Sequence, residues 1–149
     1  MSPGVYLDTN AFVYAVQGAD EAAGSVQHLL REMERRGIKP VTSEMILAEV
    51  HCQRDLTPDL HASYQDLLIE SQTIRLDPVT RDILLASAAM RREGASLKLQ
   101  DALHFTTTIS AKCRYILTND HRFRSESNVL TVVRPTSPDI DDLLSALDG

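Results

Sequence analysis

The chain alternates short apolar runs of strand length with longer segments of helical spacing, and few architectures accommodate that order. Val5-Tyr6-Leu7, bounded by Gly4 and Asp8, predicts a buried strand. Segments 39–42, 73–76, 115–117 and 129–133 predict four more. Helices are expected over 10–16, 20–36, 43–54, 58–71, 78–94 and 100–112. Strands that alternate with helices form a parallel sheet covered on both faces. The expected fold class is therefore α/β, a three-layer α/β/α sandwich with a mostly parallel central sheet.

Capping signals set several boundaries. Arg35-Arg36-Gly37 reads as a cationic last turn with a glycine stop. Ser43 is expected to cap the third helix. Asp77-Pro78 reads as an N-cap followed by proline at the first helical position, with Ile83, Ala86 and Met90 on the apolar side of that helix. Ser137-Pro138 opens a last amphipathic helix through Leu147. The one break in composition, Arg134-Pro135-Thr136-Ser137-Pro138, divides a body of residues 1–134 from an acidic tail of residues 135–149. The tail has a single narrow apolar face of Ile140, Leu143, Leu144 and Leu147. Its docking is expected to contribute only about 1–2 kcal/mol.

A chain of 149 residues fits one domain and can bury a core without disulfides. MSPGVYLDTN has no basic region and meets an aspartate at position 8, so no signal peptide is expected. No apolar run approaches the roughly 20 residues of a membrane span. Cys52 and Cys113 lack the paired spacing of a zinc site and read as buried thiols of a cytoplasmic protein. The net charge of −6 argues against general nucleic-acid binding through Lys and Arg. Its distribution weakens that objection, because Asp139, Asp141, Asp142 and Asp148 lie in the tail without a basic residue, leaving −2 on residues 1–134.

Four acids stand where acids are costly. Asp8 directly follows Val5-Tyr6-Leu7, and Asp120 closely follows Tyr115-Ile116-Leu117. Both are expected at the carboxyl edge of the sheet, where open α/β folds form their ligand crevice. Each alone also fits a helix cap or turn. Glu49 shares a helix face with Met45, Ile46 and Val50, and Asp101 falls in line with Phe105 and Ile109. A carboxylate on an apolar stripe needs a cation or strong donors. Clustered carboxylates call for a hard divalent ion, and oxygen-only ligation favours Mg²⁺ or Mn²⁺. Such an ion makes water a better nucleophile at neutral pH, so metal-assisted phosphodiester hydrolysis suits this set best. With cations on all four acids, the rest of residues 1–134 would carry +2.

The same residues carry a family resemblance. Leu7-Asp8-Thr9-Asn10, Ser43 followed by Glu49, Asp101-Ala102-Leu103-His104-Phe105, and Thr118-Asn119-Asp120-His121-Arg122-Phe123 stand in the order of four acid motifs. Over residues 5–133 the chain resembles the PIN-domain ribonucleases, particularly the VapC-type toxins of toxin–antitoxin pairs. The resemblance implies that Asp8, Glu49, Asp101 and Asp120 bind metal and activate water. It implies that Asn10 and Thr118 orient those carboxylates by hydrogen bonds. It further implies an RNA substrate, a small antitoxin protein as partner, and a homodimer. Apolar surplus over 26–33 and 60–69 is the expected surface for association.

Other residues have weaker grounds. Ser43, Lys98, His121 and Arg122 flank motif positions and are candidates for substrate contact. His104 lies one turn beyond Asp101, within reach of the crevice, with ordinary packing the preferred reading. A non-catalytic PIN-like binding platform would be expected to lose one of the four acids. A Mg²⁺-dependent phosphatase of the haloacid-dehalogenase kind would want a second aspartate where Asn10 stands.

Overall fold

A computed structural model of the protein describes residues 3–94, 96–120 and 130–148. Five strands form one sheet: β1 (Gly4–Leu7), β2 (Val41–Ser43), β3 (Arg75–Asp77), β4 (Cys113–Leu117) and β5 (Thr131–Val133). Their order is β3-β2-β1-β4-β5, and every pairing is parallel. β1 is central, and Val5, Tyr6 and Leu7 are buried, as a strand covered on both faces requires.

The alternation of β1 sorts the two layers. Val5 and Leu7 join the larger core, with side chains from α1 (Thr9–Gln17), α2 (Glu21–Arg35), α3 (Met45–His51), α4 (Pro58–Gln65) and α7 (Ser137–Asp148). Tyr6 points the other way into a smaller core with Val41, Ile116 and Ala102. That side is covered by α5 (Arg81–Arg92) and α6 (Leu99–Ser110). The expected three-layer α/β/α sandwich is the observed one. Among the described residues no helix is long and apolar enough to cross a membrane.

Most boundaries follow the sequence signals. Gly37, at φ +69, closes α2: the Ile38 amide donates to the Met33 carbonyl and the Gly37 amide to that of Glu34. This pair of bonds satisfies carbonyls left open at the helix end, and glycine adopts the required left-handed backbone without penalty. The stripe of Leu29 and Met33 is core.

Four expectations are corrected. Asp77 does not cap α5. It is a strand residue opposite Ser43, its carbonyl accepts from the Glu44 amide, and Thr80 caps the helix by accepting from the Ile83 amide. Sheet pairing thus overrides the Asp-Pro signal, and the buried side of α5 runs through Ile83 and Ser87, leaving Ala86 exposed. Ser43 ends β2 instead of starting α3, although its hydroxyl still accepts from the Met45 amide at 3.1 Å. The stripe through Asp101, Phe105 and Ile109 is not the core side of α6. Ile109 is 48% exposed, and the buried residues are Ala102, Leu103, His104, Thr107 and Thr108. Cys52 is exposed at the end of α3, while Cys113 is buried as expected.

The last helix is integral to the larger core. Ile140, Leu143, Leu144 and Leu147 are buried there as α7 packs on α2 and β5. Arg36 closes its far end, donating from Nη1 to the Leu144 carbonyl at 2.9 Å and to Asp148 at 2.7 Å.

Candidate functional site

The order of strands reverses at β1: the chain passes from β1 out to β2 and β3, then returns to β4 on the opposite side. Such a switch point opens a crevice beyond the carboxyl ends of the strands. Here that edge carries Asp8 after β1 and Thr118 after β4, in adjacent register. A cleft of about 330 Å³ lies there, lined by Asp8, Thr9, Asn10, Val13, Glu49, Gln53, Asp101, His104 and Asp120. All four sequence-selected acids meet in it.

Asp8 is the most buried of the four, at 7% exposure. One oxygen caps α1 by accepting from the Ala11 amide at 3.1 Å, and the other accepts from the Thr118 hydroxyl. Asp8 therefore both caps a helix and lines the cleft. Burial raises its pKa above the ordinary carboxyl value, against the hydrogen bonds of Thr118 and Ala11 and the attraction of His104. Repulsion from Asp120 adds to the rise.

Thr118 ties two acids together. Its hydroxyl donates to Asp8 and accepts from the Asp120 amide at 3.1 Å, fixing the turn that presents Asp120. Asp101 sits in the first turn of α6, where a carboxylate is favoured by the helix dipole. Glu49 reaches the cleft from α3, its backbone held between the buried Ile46 and Val50. Its Oε1 accepts from the Thr9 hydroxyl at 2.7 Å and lies 2.7 Å from His104 Nε2.

The other candidates are distributed unevenly. Asn10 lines the cleft but is exposed, and among the described residues it makes no hydrogen bond to the four acids; Thr9, one residue earlier, makes the contact to Glu49. Ser43 is fully buried and Lys98 is exposed beside the start of α6, both outside the lining residues. His121 and Arg122 lie outside the described residues. Thr9 and His104 line the cleft, and Tyr6 contacts His104 from the core; none of the three was singled out for the site by sequence. The available signal was the three-residue step from Asp101 to His104, which puts both on neighbouring parts of one helix surface.

The donor set is entirely hard oxygen, and a buried carboxylate with a raised pKa beside a second one is relieved by a cation. Among the described residues no group of three or more His, Cys, Asp or Glu side chains stands close enough together to hold a metal ion. A cation bound by fewer carboxylates would draw its remaining ligands from water.

Comparison with known proteins identifies the family and the fold. Residues 5–126 match the PIN domain family. No curated protein matches in sequence. The fold is similar to VapBC2 from Rickettsia felis, solved with a DNA fragment from its promoter, at a TM-score of 0.64 and 16% identity, over 87% of this chain and 97% of that one. It is similar to VapC20 of Mycobacterium tuberculosis, described as a sarcin–ricin loop cleaving toxin, at a TM-score of 0.63 and 17% identity, over 79% and 91%. A toxin–antitoxin complex from Klebsiella pneumoniae gives a TM-score of 0.59 at 19% identity, over 89% and 98%.

Proposed function

The chain belongs to the PIN domain family, and from that premise we propose that it is a divalent-metal-dependent endoribonuclease, the toxin of a toxin–antitoxin pair. The observation that carries this reading is the convergence of Asp8, Glu49, Asp101 and Asp120 on one cleft at the switch point of the sheet. Those four would hold Mg²⁺ or Mn²⁺. When bound, the cation supplies charge stabilisation at the phosphodiester and a better water nucleophile at neutral pH.

The protein's own residues do the placing. Thr118 orients Asp8 and Asp120 through one hydroxyl, and the cap to Ala11 fixes Asp8 against β1. Asn10 lies exposed along the cleft where a polynucleotide would arrive. Lys98 and, beyond the described residues, His121 and Arg122 are candidates for phosphate contact. Catalysis is assigned to residues 1–134, with the acidic segment 135–149 completing the larger core through α7.

RNA as substrate is supported by the family resemblance and by the activity named for VapC20. A small antitoxin partner is supported by the R. felis VapBC2 and K. pneumoniae neighbours. A homodimer and a cytoplasmic location complete the reading.

The test is cleavage of a structured RNA by wild type and Asp8→Asn, with Mg²⁺ or Mn²⁺ and with EDTA. The substitution keeps the cap acceptor and removes the charge, so activity should fall on the order of 10²-fold or more. Cleavage that survives both EDTA and Asp8→Asn, with a mock purification inactive, would overturn the mechanism.

A further inference from the structure

His104 is 3% exposed, and both of its ring nitrogens are engaged. Nε2 stands 2.7 Å from Glu49 Oε1 and 3.0 Å from the Thr9 hydroxyl, while Nδ1 stands 2.6 Å from the Tyr6 hydroxyl. A carboxylate has no proton to offer, so the contact at 2.7 Å places the ring proton on Nε2. Nδ1 faces the Tyr6 hydroxyl, so the ring is held at both nitrogens. The chain of contacts runs Tyr6 to His104 to Glu49, from the core of one sheet face to the cleft.

The hydrogen bonds from Thr9 and His104 to the Glu49 carboxylate both fall on Oε1. Two donors on one oxygen fix the carboxylate plane and leave Oε2 for another ligand. We propose that His104, backed by Tyr6, is a positioning residue that orients Glu49 so that Oε2 is presented to a divalent cation. This rests on the metal-dependent reading of the cleft. It assigns His104 no contact with substrate and no proton transfer during the reaction. Its effect is to remove rotational freedom from a carboxylate that emerges from a helix of only seven residues.

The test measures Mn²⁺ binding by calorimetry on the purified protein without RNA, and separately kcat and KM for RNA cleavage. The variants are His104→Leu, His104→Gln, Tyr6→Phe and Glu49→Gln. His104→Leu should weaken Mn²⁺ binding about 10- to 100-fold, the usual range for a group that orients a metal ligand. It should lower kcat with little change in KM for RNA. His104→Gln, whose amide can donate from nearly the position of Nε2, should recover most of the affinity. Tyr6→Phe removes only a hydroxyl and should give a smaller loss in the same direction. It carries the test if His104→Leu fails to fold. Folded His104→Leu or Tyr6→Phe with wild-type affinity, while Glu49→Gln binds poorly, would overturn the role of His104 and leave the metal reading intact. Wild type that binds no Mn²⁺ would overturn the metal reading and this inference with it.

Discussion

Arg134 holds Asp120 by its backbone: the guanidinium Nη1 donates to the Asp120 carbonyl oxygen at 2.9 Å. The same nitrogen reaches the Thr118 carbonyl at 3.0 Å, so one side chain from the end of β5 closes the turn between them. The Arg134 amide in turn donates to Asp139 of α7 at 2.9 Å. The segment that breaks the composition in sequence therefore connects the last helix to the turn bearing a candidate ligand.

Arg134→Met should consequently loosen that turn. Two bonds from a half-buried cation support an expected stability loss of about 1–2 kcal/mol. The kcat for RNA cleavage should fall about tenfold, the low end for losing a group that positions a ligand. Single-turnover assays alongside urea melts check both. Unchanged kcat in a folded variant would remove Arg134 from the site.

Truncation after Arg134 should be far more damaging than the sequence suggests. Ile140, Leu143, Leu144 and Leu147 are all buried in the larger core. Each buried aliphatic side chain is worth about 1.5–3 kcal/mol, an upper range because the unfolded chain already buries some surface. Four of them approach the whole 5–15 kcal/mol that holds a typical domain together. The truncated chain should express insolubly or lose its cooperative melt. A soluble, folded product at the wild-type melting temperature would contradict this.

The contrast between tail and site shows what was legible in the sequence. Asp8 and Asp120 could be placed because each follows an apolar run whose direction in a parallel sheet is fixed. Glu49 could be placed because Ile46 and Val50 on the same short helix are unmistakably core. Of the contacts that orient these acids, the family resemblance implied that of Thr118, but not those of Thr9, His104 or Tyr6. Tyr6 and His104 are 98 residues apart and Thr118 and Asp8 are 110 apart, so only the assembled sheet brings them together. Asp77 misled because Asp-Pro is a local signal, while its actual position is decided by pairing with Ser43. The depth of α7 was missed for a related reason: the width of an apolar face does not reveal how deep the receiving groove is.

Self-association should involve α5 and α6. The surplus at 26–33 and 60–69 is mostly spent on the core, where Val26, Leu29, Met33, Tyr64 and Leu68 are buried. Among the described residues, Leu84, Leu85, Leu99 and Ile109 on α5 and α6 are exposed, with Leu85 at 63%. Sedimentation at micromolar concentration should give about twice the 16.6 kDa of one chain, with an obligate interface burying roughly 2,000 Å² or more. Leu85→Glu should yield monomer without lowering the melting temperature of the monomer itself. Strictly monomeric wild type would refute the dimer, and dimeric Leu85→Glu would move the interface elsewhere.

Asp8 should leave a signature in the pH dependence of stability. Burial first, and repulsion from Asp120 last, raise its pKa in the fold despite the bonds from Thr118 and Ala11. An unfolded aspartate titrates near about 3.9. Between that value and the raised one, the folded state holds a proton that the unfolded state has lost. Linkage then requires stability to fall as pH rises: the contribution is complete below the unfolded pKa and lost on passing the folded one. Asp8→Asn does not titrate there and keeps the cap acceptor for Ala11. In EDTA its stability relative to wild type should increase as pH rises through this window and level off above it. Urea melts of both proteins from about pH 4 to about pH 8 would trace that difference. Added Mg²⁺ binds the ionised carboxylate and releases its proton, so it should stabilise wild type selectively and shrink the gap. A structural ion pair at Asp8 would give the opposite sign, with Asp8→Asn losing ground as pH rises. That result would leave Asp8 as a fold residue and remove it from the candidate metal site.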